Sequence, residues 1–360
     1  MRILLLSAYD TDSHKSWCEG LMKHLSHHQW CYLTLPGRFF SWRIRGNALS
    51  FAYGDQAKAL HQPFDLIIAT SMVDLATLKG VVPNLANIPS LLYFHENQFA
   101  YPKSKSQHAS IEPQMVNLYS ALSASKVLFN SHYNQQSFIQ GVETLLKKLP
   151  DHAPTQAVEA IKQKSQVLSV PILNPYAPET SIFESGKPLK VIWNHRWEYD
   201  KGPDTLANTV KLAEQLGLNV LFTICGMSFR QIPESFKALK QDMPSNITHM
   251  GTFKSRADYL QQLSQHHVVL STAIHEFQGL AVLEGAANGC IPLAPNRLAY
   301  PEWIPTDYLY SNTNAEHIQI CQQLEHWQQH GLPPVISVTK YDWQKMIHDY
   351  ESIIQELGKH

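Results

Sequence analysis

The stretch VLSTAIHEFQGLAVLEGAANGCIPLAPNRLAYPE, residues 269–302, decides the architecture of its half of the chain. An apolar, β-rich run closes at Ser271, and a loop carrying His275, Glu276, Phe277, Gln278 and Gly279 follows. The pattern then predicts a helix from Leu280 to a glycine stop at Gly289, and a further strand over 290–294. Strand, loop, helix and strand in this order form one unit of a parallel sheet. Glu276 falls in the loop and Glu284 about a turn inside the helix, an E-x7-E spacing. The first amides of that helix and its dipole face an anion placed over Gln278-Gly279-Leu280. A phosphate on those amides, with carboxylates on either side to hold hydroxyls, suggests a sugar nucleotide. The spacing alone is commonplace; the strand–loop–helix setting gives it weight.

The same half contains VIWNHRWEYDKGPD at 191–204. A strand ends near Asn194, Arg196 and Lys201 follow, and a helix starts at Gly202-Pro203, where proline suits the first turn. Two cations beyond a strand end can clamp a diphosphate, arginine as a fork and lysine as a point charge. The competing reading is a solvated Arg196–Glu198 or Lys201–Asp200 pair, worth less than about 1 kcal/mol.

Further outward, strand-like runs at 3–6, 31–35, 66–70, 91–94, 126–130 and 166–170 alternate with helical stretches. After a break they resume at 189–193, 219–225, 248–251, 267–271 and 291–294. The break, 171–187, carries Pro171, Pro175 and Pro178 and reads as a linker. The expectation is an α/β chain of two Rossmann-like domains facing across a cleft, into which strand C-terminal ends and helix N-termini point. A long amphipathic helix is expected over 341–357.

Composition narrows the classes. The 360 residues carry 29 Lys and Arg against 30 Asp and Glu, a formal charge of −1, which excludes a uniformly basic nucleic-acid coat and an acidic disordered tail. The front half has a slight basic excess and the rear half an acidic one. Mean hydropathy is −0.24, and no run approaches the roughly 18 apolar residues of a membrane span. The apolar start MRILLL stops at Ser7 and reads as a buried strand rather than a signal peptide. Five scattered cysteines without a C-x-x-C pair argue against a disulfide framework or zinc ribbon and fit a reducing cytoplasm. There is no G-x-G-x-x-G, P-loop, H-E-x-x-H or G-x-S-x-G.

Three front-half motifs remain. In SAYDTDSHKSW (7–17), His14 sits where a helix begins, with Ser13 as its expected N-cap, and Asp10-x-Asp12 reads as turn chemistry rather than a metal pair. In LLYFHENQF (91–99), a buried strand delivers His95, Glu96, Asn97 and Gln98 at its C-terminal end. In PGRFFSWRIRGN (36–47), Arg38, Arg43 and Arg45 interleave with Phe39, Phe40 and Trp42. That segment is either an RNA footprint or an ordinary amphipathic loop.

Arg196 with Lys201 and Glu276 with Glu284 resemble the donor domain of retaining GT-B glycosyltransferases of family 4. More specifically, SHKSW (13–17), LPGRFFSWRIRGNAL (35–49), YFHENQFAYP (93–102), NHRWEYDKGP (194–203) and STAIHEFQGLAVLEGAANGCIPLAP (271–295) resemble the tRNA-queuosine mannosyltransferases. The likeness runs from about residue 2 to 310; Gln278 departs from it, where a second aromatic is expected after Phe277. The resemblance implies a GT-B fold, a GDP-mannose donor, a queuosine-bearing tRNA acceptor and no cofactor or metal. It implies an acceptor domain over 1–172, a donor domain over 173–340, and a final helix, 341–360, packing back on the first domain. Arg196 and Lys201 would neutralise the leaving diphosphate, helped by the amides of Gly279 and Leu280. Glu276 would hold sugar hydroxyls and Glu284 the ribose, with Asn194 and Phe277 also at the donor. His95 would stand near the donor sugar; His14, Glu96, Asn97, Gln98, Arg38, Trp42, Arg43 and Arg45 would line the acceptor side. Two rival readings stay open. One is a GT-B enzyme with another sugar donor or a small-molecule or lipid acceptor; the other is a non-catalytic tRNA- or nucleotide-binding protein on the same scaffold.

Overall fold

A computed structural model describes residues 1–101, 110–173, 183–184, 186–227, 232–311 and 315–359. Pro102, Pro175 and Pro178, and with the last two most of the expected linker, lie outside the described residues. The chain divides into two units, Met1–Pro171 with Trp343–His360, and Ile172–Asp342.

The first unit holds six strands, β1 (Arg2–Asp10), β2 (Gln29–Pro36), β3 (Leu66–Thr70), β4 (Ser90–Phe94), β5 (Lys126–Phe129) and β6 (Ser165–Val167). They pair in parallel in the order β2-β1-β3-β4-β5-β6. The second unit holds β7 (Leu189–Trp193), β8 (Val220–Cys225), β9 (Ile247–Gly251), β10 (Val268–Leu270), β11 (Ile291–Pro295) and β12 (Leu309–Tyr310). These also pair in parallel, in the order β12-β11-β10-β7-β8-β9. Every residue of β3, β4 and β11 is buried, as expected of strands covered on both faces. In each sheet the order doubles back beside the first strand, so loops from adjacent C-terminal ends diverge there and leave a crevice.

Several local expectations are corrected. The segment 36–47 is a loop only at its start: Phe39 turns at a left-handed φ of 57° and the helix Phe40–Tyr53 follows. The helix Asp12–His24 is entered through Thr11, so Ser13 lies in its first turn and does not cap it. The strand expected at 166–170 ends at Val167, although the Leu168 amide still donates to the Phe129 carbonyl at 2.8 Å. The edge strand β12 was not anticipated.

The final helix, Trp343–Leu357, belongs to the first unit. It buries Trp343, Met346, Tyr350, Ile353, Ile354 and Leu357, a stripe at helical spacing. Trp17 Nε1 donates to Tyr350 Oη at 3.1 Å, and Tyr350 Oη donates to the Ser169 carbonyl at 2.9 Å. Gly20 makes room for Trp343, whose ring lies 2.1 Å from where a Cβ would stand. No helix among the described residues is long and apolar enough to cross a membrane.

Candidate active site

In the second unit, the loops after β7 and β10 meet around Lys201. Its Nζ lies 3.1 Å from Asp200 Oδ2, and donates to Glu276 Oε2 and to the His275 carbonyl, each at 3.1 Å. The backbone fixes this arrangement. The amides of Ile274 and His275 donate to the Asp200 carbonyl at 2.8 and 3.0 Å. The Thr272 hydroxyl donates to the Lys201 carbonyl at 2.9 Å and accepts from Trp193 Nε1 at 2.9 Å. Gly202 is required here: its φ is +64°, and a Cβ would stand 1.9 Å from the Thr272 carbonyl oxygen. It opens the helix Pro203–Gln215.

Burial alone would raise the Glu276 carboxyl. The Lys201 ammonium, His195 and hydrogen bonds from Lys201 and the Phe277 amide override it and hold the group at about 2. His195 and His275 are both lowered to about 4, chiefly by burial, so both are neutral at pH 7. Arg196 pairs with Glu198 at 3.0 Å and stays 39% exposed, whereas the Lys201 side chain is 10% exposed.

A second chain of contacts runs behind this knot. Asn194 Nδ2 donates to Tyr259 Oη and to the Ala281 carbonyl, both at 2.8 Å. Tyr259 Oη donates to Glu284 Oε2 at 3.1 Å, and the Arg256 guanidinium forks onto the same carboxylate. Glu284 projects from the helix Leu280–Ala287, which Gly279 opens at a φ of +83°. A Cβ on Gly279 would meet the Tyr300 ring at 2.7 Å. The helix cannot itself pair its first amides, which face outward beyond the strand end. Phe277 is buried edge-on to His275, and the Leu280 side chain packs with Ile172 and Leu283, so these two contribute packing and, at Leu280, an amide. Asn194 Oδ1 and His195 Nε2 are buried with no hydrogen-bond partner among the described residues. Buried polar atoms of this kind mark a place where a ligand or water completes the bonding.

In the first unit, His14 Nε2 lies 2.9 Å from Glu96 Oε2, and the Ser71 hydroxyl donates to Glu96 Oε1 at 3.2 Å. The His14 and His95 rings stack at 4.3 Å, with Trp17 edge-on to His95 at 5.0 Å. Burial, and then the proximity of His14, hold His95 well below its usual pKa, and its Nε2 has no partner among the described residues. Asn97 is different. It is fully buried; its amide donates to Asn134 Oδ1 and Ser137 Oγ, and its oxygen accepts from the Phe99 and Ala100 amides. Asn97 therefore braces the turn and presents nothing outward. The Gln98 backbone amide donates to Asn117 Oδ1 at 2.9 Å. Asp10 accepts from Tyr32 Oη at 2.9 Å and Asp12 is exposed in the first helical turn.

The arginines of 36–47 have three different surroundings. Arg38 is exposed, its guanidinium over the Phe39 ring at 5.6 Å, and Trp42 beside it is 56% exposed. Arg43 is buried among the packing residues of its helix. Arg45 pairs with Asp74 at 2.9 Å and Glu112 at 3.1 Å. The turn at Phe39 and the helix after it split a cluster that looks continuous in sequence.

Sequence reasoning named Asp200 only as the partner in a solvated Lys201 pair and did not single out His195, Tyr259, Arg256 or Arg297. Arg297 donates to the Ala273 carbonyl at 2.9 Å and pairs with Glu316, fastening the far side of the 272–277 loop. These residues come from separate elements, and Tyr259 and Arg256 lie outside every quoted stretch.

The N-terminal model of the tRNA-queuosine alpha-mannosyltransferases matches residues 2–172. The tRNA-queuosine alpha-mannosyltransferase of Drosophila melanogaster is 36% identical over 321 residues, 87% of this chain and 84% of that protein. Among solved structures, sucrose-phosphate synthase from Thermosynechococcus elongatus superposes with a TM-score of 0.74 at 13% identity, covering 99% of both chains. HepE from Anabaena, solved with UDP and glucose, gives 0.70 at 14%, covering 99% of this chain and 100% of that one. The fold is GT-B and the chain is a glycosyltransferase. With motif agreement in both halves and a relative of this identity and coverage, the chain belongs to the tRNA-queuosine alpha-mannosyltransferase family.

Proposed function

We propose that this chain is a cytoplasmic, metal-independent, retaining mannosyltransferase that moves mannose from GDP-mannose to the cyclopentenediol of queuosine in tRNA. One observation carries the reading: the likeness to the Drosophila tRNA-queuosine alpha-mannosyltransferase over 87% of the chain. In this reading the second unit holds the nucleotide sugar and the first the tRNA. The diphosphate lies over the start of the helix Leu280–Ala287, on the amides of Gly279 and Leu280.

Negative charge grows on the diphosphate as the glycosidic bond breaks, so cations fixed beforehand act most strongly in the transition state. Lys201 is already shared between Asp200 and Glu276, so it serves two tasks: it keeps Glu276 anionic and faces the phosphate. Arg196 is the more exposed cation and supplies the fork. Glu276 accepts from sugar hydroxyls. Glu284, oriented by Tyr259 and Arg256, accepts from the ribose. Asn194 Oδ1 and His195 Nε2 are available to donor groups. The departing phosphate takes the acceptor proton, and the new bond forms on the face the nucleotide leaves. The His14–Glu96 pair, His95 and Gln98 line the acceptor side, and Arg38 and Trp42 meet RNA.

The test incubates the protein with queuosine-containing tRNA and, separately, GDP-mannose, GDP-glucose, UDP-glucose and UDP-galactose. The nucleosides are then read by mass spectrometry. A hexose increment on queuosine with GDP-mannose alone, abolished in Glu276→Gln while tRNA affinity is kept, is the expected result. An increment with a uridine donor overturns the donor assignment; tight GDP binding without any increment overturns the acceptor.

A further inference from the structure

Away from the candidate active site, His27, His28 and Glu351 bring three ligand atoms within 4.8 Å of one another. His27 Nε2 lies 3.2 Å from Glu351 Oε1 and His28 Nε2 lies 3.1 Å from Glu351 Oε2. We infer that these side chains form a site for a divalent transition metal of the zinc class, which fastens the final helix to the first unit.

The argument is geometric. Zinc takes histidine nitrogen and carboxylate oxygen at about 2.0–2.1 Å in a tetrahedral shell, which sets neighbouring ligand atoms about 3.3 Å apart. Each imidazole nitrogen stands at about that edge from its own oxygen of Glu351, and one ligand atom from each of the three residues lies within 4.8 Å of the others, so the cluster closes on an ion once the His27 and His28 rings move inward. The ligand types are those that zinc and its neighbours prefer, and calcium or magnesium would call for an oxygen-only set. His28 and Glu351 form a sheltered floor, with side chains 5% and 17% exposed, and His27, 59% exposed, forms an open side through which an ion and a fourth, water ligand can enter.

The position gives the site a purpose. His27 and His28 stand in the turn between the helix Asp12–His24 and β2, while Glu351 lies on the final helix, which returns to this unit after the whole of the second unit has intervened. A metal there joins segments more than 320 residues apart in sequence. Because it binds the docked helix and not the undocked one, it stabilises docking by mass action.

The test uses the full-length, untagged protein, with Zn²⁺ as the stabiliser and Co²⁺ as the spectroscopic probe. A hundredfold excess of Zn²⁺ over its dissociation constant is expected to raise the unfolding temperature by about 5–10 °C. One equivalent of Co²⁺ is expected to give the visible absorption of a low-symmetry site. His27→Ala, at an exposed position that does not threaten folding, and Glu351→Gln should each weaken binding at least tenfold and abolish the temperature shift, with glycosyl transfer in the absence of metal unchanged. Zn²⁺ stabilisation or a Co²⁺ spectrum that survives unaltered in both variants places the ion elsewhere and overturns the proposal. So does the absence of any metal effect on the parent protein, which would leave the cluster a hydrogen-bonded latch.

Discussion

Replacing Lys201 by methionine tests the electrostatic core of the second unit. The substitution nearly preserves the stem and removes only the charge, leaving Asp200 and Glu276 facing each other without the ammonium that separates them. In the parent protein the Glu276 carboxyl is held at about 2 against an ordinary 4.5. That difference makes its anion worth about 3 kcal/mol at about 1.4 kcal/mol per pKa unit. The sign follows from linkage: a lowered native pKa contributes stability that is complete above pH 4.5 and fades as pH falls toward 2. Without Lys201, burial is opposed only by His195 and the Phe277 amide, so the carboxyl rises and the stability its anion contributes at pH 7 is lost. The stability difference between the two proteins is therefore expected to be about 3 kcal/mol or more at pH 7 and to narrow steadily toward pH 3. Denaturant unfolding across that range measures it, followed by fluorescence of the buried tryptophans Trp193 and Trp197. Glu276→Gln in the Lys201→Met background should recover much of the loss at pH 7, because it removes the uncompensated charge. A difference that stays constant from pH 7 to pH 3, or a double variant less stable than Lys201→Met, would refute the coupling.

Other residues give sharper local readouts. Tyr259→Phe removes the hydroxyl that accepts from Asn194 and donates to Glu284. About 1–3 kcal/mol of stability should be lost, with a raised donor KM and little change in tRNA affinity, as read by unfolding and by steady-state kinetics. Gly202→Ala meets both a left-handed backbone and the Thr272 carbonyl, and should cost more than about 2 kcal/mol in thermal or chemical unfolding. Arg38→Ala should weaken tRNA binding and reduce its salt slope by roughly one phosphate contact, while a buried Arg43 contributes no such term. Equal salt slopes for Arg38→Ala and the parent protein would remove Arg38 from the RNA surface.

The local alternation of strand and helix patterns along the chain is enough to build two parallel sheets. It also places Glu276, Gly279, Arg196 and Lys201 at loop and helix starts, because strand and helix periodicities and glycine or proline punctuation are properties of short windows. The start of the helix at Leu280, read from its hydrophobic pattern, coincides with the observed one. The segment 36–47 read as a loop because its aromatics and arginines are dense. Arg38 stays exposed ahead of the helix, which then turns Trp42 outward, buries Arg43 and sets Arg45 against Asp74 and Glu112. Asn97 looked like a group presented to a ligand, but the turn after β4 consumes every polar atom of its side chain. Only the tertiary structure could set Lys201 between Asp200 and Glu276, join Asn194 to Glu284 through Tyr259, and carry Glu351 to His27 and His28. Each of these contacts joins groups from separate elements, and a hydrogen bond or ion pair is decided by a few tenths of an ångström that no spacing along the chain encodes.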